Sequence, residues 1–184
     1  RSYRGDSAAA WASGAAAAGL TALLFAAAAF TSSAFAGEAA VIWQNPEKYT
    51  DIVSDDGEQQ AFQAKLFAEL EKEFSKQAGS LPEGSKLAVT VTDFDMAGQM
   101  RDANNKDQMR VVIGNYFPQM TLDYTLTDAS GAVLSQQQGV VYKDQGFYSA
   151  DASLRASRSS SDFYFETTMI RGWFSDLKRA LKKK

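Results

Sequence analysis

The stretch Leu87-Ala88-Val89-Thr90-Val91-Thr92-Asp93-Phe94-Asp95-Met96-Ala97-Gly98 decides how this chain folds. β-Branched residues crowd its first half, so it reads as a strand, and a pair of carboxylates follows. Leu87, Val89 and Val91 stand at odd positions, whereas Phe94 and Met96 stand at even ones. Strand side chains alternate strictly between faces, so one regular strand cannot send all five into the same core. A bulge or a strand end is therefore expected near Thr92-Asp93. Beyond such a break Phe94 and Met96 turn inward, and Asp93 and Asp95 face away from the core.

The flanking segments supply the rest of the fold. Upstream, Ala40 to Gln44 reads as a short strand ended by Asn45-Pro46. A helix follows, with Asp55 as N-cap and Glu58 three residues on. Its apolar stripe is Phe62, Leu66, Phe67, Leu70 and Phe74. Glu69, Glu71, Lys72, Glu73 and Lys76 are expected on its solvated side, and Gly79 at its C-terminal end. Downstream, polar Gln99 to Asp107 reads as a loop with Asn104-Asn105 as turn formers. Met109 to Ile113 is the next strand. Met120, Leu122, Tyr124 and Leu126 then alternate with Thr121, Asp123, Thr125 and Thr127, a half-buried strand. Asp128-Ala-Ser-Gly131 is a hairpin turn with Gly131 left-handed, and Val133 to Tyr142 returns beside it. Gln136-Gln137-Gln138 in that partner is expected at an edge or facing solvent. Lys143 to Ser161 reads as a long polar loop carrying Phe147 and Tyr148. A last helix from about Asp162 to Leu181 carries Phe165, Met169, Ile170, Trp173, Phe174, Leu177 and Leu181 on one stripe. Gly172 in its middle costs about 1 kcal/mol relative to Ala and so points to close packing. The order β-α-β-β-β-β-α predicts an α+β two-layer sandwich: a mostly antiparallel sheet of about five strands with the helices on one face.

Residues 1–36 differ in kind. Arg1 and Arg4 precede the apolar run Leu20 to Phe30, and Ala34-Phe35-Ala36 offers an A-x-A cleavage pattern before Gly37. This is the order of a secretory signal peptide. A membrane span over Ala8 to Phe30 is the alternative. The expectation is a leader over residues 1–36, cleavage near Ala36-Gly37, one globular domain over residues 37–184 and a periplasmic or secreted product. The chain opens on Arg1 rather than Met, as expected of a frame whose start lies elsewhere.

Composition narrows the chemistry. The 184 residues contain neither Cys nor His and carry a net charge of −3. Disulfides, thiol nucleophiles, thiolate metal sites and imidazole bases are therefore excluded. Acids and bases are interspersed, so no basic field is available for nucleic acid. Asp93 and Asp95, two apart, share a face of a regular strand and are the candidate metal ligands, for Ca²⁺ or Mg²⁺, with Asp102 and Asp107 nearby. The competing reading places them at a strand end, facing water or capping the loop. Arg101, Phe147 and Tyr148 are candidates for ligand or partner contact, and Arg101, Arg110, Arg155, Arg158 and Arg171 for convergence on an anion. Lys182-Lys183-Lys184 is a candidate for weak membrane contact. No phosphate loop, dinucleotide fingerprint or nucleophile elbow is present, and no cofactor is implied.

Val91-Thr-Asp-Phe-Asp-Met-Ala-Gly98 resembles the VTDIDLAG signature of the domain of unknown function 3016 family. Tyr116-Phe-Pro-Gln-Met-Thr-Leu-Asp-Tyr124 is similar to its second block, in which Arg is expected where Gln119 stands. Glu166 with Trp173-Phe174 resembles its closing block. The resemblance runs from about Val41 to Leu177. It implies an exported protein of Gram-negative bacteria and transfers no catalytic residue. The expected function is a non-catalytic envelope module binding an envelope component or a protein partner. A carboxylate-dependent, metal-assisted hydrolase using Asp93 and Asp95 is the alternative.

Overall fold

A computed structural model describes residues 37–183 apart from 55–56 and 104–106. The leader residues 1–36, Asp55, the Asn104-Asn105 turn and Lys184 lie outside the described residues, and the cap position of the first helix is taken by Glu58 rather than the expected Asp55. The element order is β1 (Glu38–Trp43), α1 (Gln59–Ala78), β2 (Lys86–Asp95), β3 (Gln99–Ala103), β4 (Asp107–Val111), β5 (Gln119–Thr127), β6 (Val133–Lys143), α2 (Ala150–Ser157) and α3 (Tyr164–Leu181). Four strands form one sheet in the order β1-β2-β5-β6, and β3 and β4 form a separate two-stranded hairpin. β1 runs parallel to β2 across the α1 crossover, and the other neighbours are antiparallel. The architecture is the expected α+β sandwich, with both long helices on one face of the sheet.

The parity conflict in β2 resolves as predicted. The register between β2 and β5 shifts between Val91 and Asp93. Leu87, Val89 and Val91 are buried before the shift, and Phe94 and Met96 after it. All five enter one core with Leu66, Leu70 and Phe74 of α1 and Met169, Ile170, Trp173, Phe174 and Leu177 of α3. β5 contributes Met120, Leu122, Tyr124 and Leu126 to it. Its threonines alternate onto the other, half-exposed face. Trp173 meets Phe74 and Tyr124 edge to face, which ties both helices to the centre of the sheet.

Gly172 is where α3 crosses β6. A Cβ there would lie 2.6 Å from Tyr142 Oη, so the close packing expected of this glycine is present. Gly131 has a φ of 88°, as the hairpin turn requires. Gln136, Gln137 and Gln138 lie exposed on the edge strand β6.

Among the described residues four strands form the sheet, close to the expected five, and two more form the hairpin. Three further expectations need correction. Gln99–Ala103, within the stretch read as a loop, is the first arm of that hairpin, and Asp107 opens the second. Both of its arms carry exposed residues, so no apolar alternation announces it. Lys143 to Ser161 contains α2, which opens on a Ser149 hydroxyl accepting from Ala152 N–H at 3.1 Å. Glu73 is not on the wet side of α1. It is buried, and its carboxylate accepts from Arg171 Nε at 2.7 Å and Arg171 Nη2 at 3.0 Å.

Candidate functional site

The second half of the signature is held by a dense set of hydrogen bonds. At the bulge, Val91 O accepts from Gln44 N–H at 2.9 Å and from the Tyr49 hydroxyl at 2.8 Å. Asp93 Oδ1 accepts from Thr50 N–H at 2.8 Å and Phe94 N–H at 2.9 Å, and its Oδ2 from the Thr50 hydroxyl at 2.7 Å. Both carboxylate oxygens therefore fasten the chain after β1 onto the bulge. Gly98 closes the block with a φ of 84°. A Cβ there would lie 2.5 Å from Val111 O, so both the backbone angle and the approach of β4 demand glycine. Ala97 N–H is bonded by Glu166 Oε1 at 2.9 Å.

Glu166 is the residue that sequence reasoning underrated. It stands three residues into α3, in register with Ile170 and Trp173, so it lies on the apolar stripe. That spacing was the available signal: a carboxylate at i, with core residues at i+4 and i+7, must be buried. It is 3% exposed. Burial pushes its carboxyl above the ordinary carboxylate range, against the pull of Ala97 N–H and of nearby Arg110. Glu73 obeys the same spacing after Leu66 and Leu70. There burial acts upward, but the bonds from Arg171 and Gln77 together hold the carboxyl low.

Glu166 lines a cleft of about 620 Å³. Phe62 and Ala61 of α1, Met96 and Ala97 of the signature, Val112 after β4 and Phe163 before α3 supply its apolar walls. Arg110 enters from β4. Its two Nη atoms clamp Asp51 at 2.7 and 3.1 Å in a largely buried pair that fastens the hairpin to the body. Lys65 and Asp162 pair at the rim at 2.5 Å. Asp95 sits beside Asp51 through a parallel bridge. Burial, followed by the Asp51 and Asp93 charges, raises its carboxyl.

The sequence candidates therefore separate. Asp93 and Asp95 share the end of β2 with Asp51 and Arg110. Asp102 lies exposed on the hairpin, where it accepts from Gln108 at 3.5 Å. Among the described residues no group of three or more Asp or Glu side chains is placed to hold a metal ion. Phe147 is buried edge to face on Phe165 at 5.3 Å, whereas Tyr148 is exposed, with its Cδ1 3.2 Å from where a Cβ on Gly114 would lie. Arg101 lies exposed on β3. With the Gln99 amide oxygen turned toward it, Arg101 donates to that oxygen at 2.6 Å. The arginines do not converge: Arg110 takes Asp51, Arg155 pairs with Asp151 and Arg171 with Glu73. Lys182 and Lys183 are exposed. Among the described residues no helix is long and apolar enough to cross a membrane.

Fold and cleft together define an α+β sandwich with a half-apolar pocket between its signature strand, its hairpin and its helices. Residues 37–176 match the family described as protein of unknown function (DUF3016), and the chain belongs to that family. No curated protein and no solved structure matches it.

Proposed function

We propose that this protein is an exported, non-catalytic binding module of the cell envelope, and that it takes its ligand into the cleft beside Glu166. The cleft itself carries the reading. Its volume, about 620 Å³, is that of a small-molecule site, and it sets an apolar wall of Phe62, Met96, Val112 and Phe163 against the polar Lys65, Arg110, Asp162 and Glu166. The two signature blocks meet at its edge, through Ala97 and Glu166. Export is supported by the order of residues 1–36 and by a family match that begins at residue 37, directly after Ala34-Phe35-Ala36. A binding role is supported by the absence of His and Cys and by the hydrogen bonds that occupy both oxygens of Asp93.

Native mass spectrometry of the protein purified from an envelope fraction tests the reading. A small-molecule adduct is expected on the wild type and not on Ala61→Phe, which fills the cleft from an exposed position of α1. No adduct, or one that survives Ala61→Phe, contradicts it. Export is tested by the N-terminus of the secreted product, expected at Gly37.

A further inference from the structure

Both cations that line the cleft, Lys65 and Arg110, are bonded to acids other than Glu166. Lys65 is engaged by Asp162, and both Arg110 Nη atoms by Asp51, a further acid behind the wall. The donor bonded to Glu166 is Ala97 N–H, which is uncharged. A carboxylate in an apolar wall is stabilised in its ionised form by a well-placed cation, and without one it holds its proton. Phe62 and Phe163 stand edge to face at 5.8 Å in the same wall and offer an apolar surface beside the Glu166 carboxylate.

We propose that the cleft selects a small amphipathic primary amine, with its ammonium group paired to Glu166 and its apolar body against Phe62, Met96 and Phe163. This rests on the reading of the cleft as a binding site and names its ligand class. Pairing leaves Glu166 ionised, so any proton it carries in the empty cleft is released to water on binding. A lysine side chain of a peptide offers the same ammonium on a bulkier frame, and the test separates the two.

The test is calorimetric titration of the full chain at neutral pH with n-octylamine, n-octanol, octanoate and an N-acetylated lysine peptide, each below its aggregation concentration. Octylammonium is expected to bind on the order of tenfold more tightly than octanol, the value of one charge-assisted hydrogen bond. Octanoate and the peptide should bind more weakly than octanol. Glu166→Gln should erase the advantage of octylammonium and keep octanol binding, and Ala61→Phe should abolish both. If Glu166→Gln does not fold, the ranking on wild type together with Ala61→Phe decides. Equal binding of octylammonium, octanol and octanoate overturns the amine proposal and leaves the cleft a binding site. Preference for the peptide also overturns it. Silence from all four ligands overturns the amine proposal, while the binding reading stands or falls with the adduct in the native mass spectrum.

Discussion

Glu166 stands at the third position of α3 with its carboxylate on Ala97 N–H and its flanks in the core. Its folded-state affinity for a proton is raised by burial, so the folded protein holds that proton to higher pH than the unfolded chain does. Stability from this source is full below the ordinary carboxylate range and is lost as pH rises through the raised value. Asp95 acts in the same direction. Glu166→Gln keeps an acceptor for Ala97 and removes the titration. Urea midpoints compared between about pH 5 and pH 8 should therefore show the variant gaining on wild type as pH rises; parallel curves would contradict the assignment. Gly172 offers a sign test. Gly172→Ala should lose stability in the wild-type background, because its new Cβ meets the Tyr142 hydroxyl. In a Tyr142→Phe background the same change should stabilise by up to about 1 kcal/mol, since the helix preference for alanine is then unopposed. Thermal unfolding of the four proteins checks it, and the same sign in both backgrounds would show that Tyr142 is not the obstacle.

At the scale of elements, the bulge in β2 was legible because five large apolar residues disagreed about parity. The hairpin of β3 and β4 was not, because a ribbon with no fully buried residue among its described positions leaves no apolar alternation to read. α2 was hidden for a related reason: it is short, with exposed Asp151, Leu154 and Arg155 and no core stripe. Each element yields a prediction. Deleting Thr92 removes the extra residue at the bulge and sends Phe94 and Met96 to the wrong face. It should cost at least about 3 kcal/mol, comparable to emptying a large core side chain, whereas Thr92→Ala should cost less than about 1 kcal/mol. Equal urea midpoints for the two variants would sink the role given to the bulge. Arg110→Met strands the Asp51 carboxylate in a largely buried position. It should cost about 3 kcal/mol, with amide protection falling first in the hairpin. Unchanged hairpin exchange would show that another contact holds it.

For the molecule as a whole, the two-layer sandwich followed from the order of elements, and its core from two helical stripes and one alternating strand. The cleft did not follow. It is assembled from α1, the end of the signature, the hairpin and the start of α3, which are distant in sequence. A carboxylate at a stripe position marks one of its walls, but nothing in the local pattern says which other elements face it. The family signature thereby gains a physical meaning. Val91 and Phe94 pack on either side of a bulge, Asp93 ties down the loop at Thr50, Gly98 lets β4 approach, and Ala97 hands its N–H to the closing block. The central claim is that the signature strand and α3 are one unit joined at Ala97 and Glu166. Amide hydrogen exchange at Ala97, read by NMR in wild type and in Glu166→Ala, tests it most directly. A slow amide in wild type is expected, accelerated in the variant on the order of tenfold beyond any change at Val89 and Val91. An Ala97 amide that exchanges freely in wild type, or at the same rate in both proteins, would contradict the account.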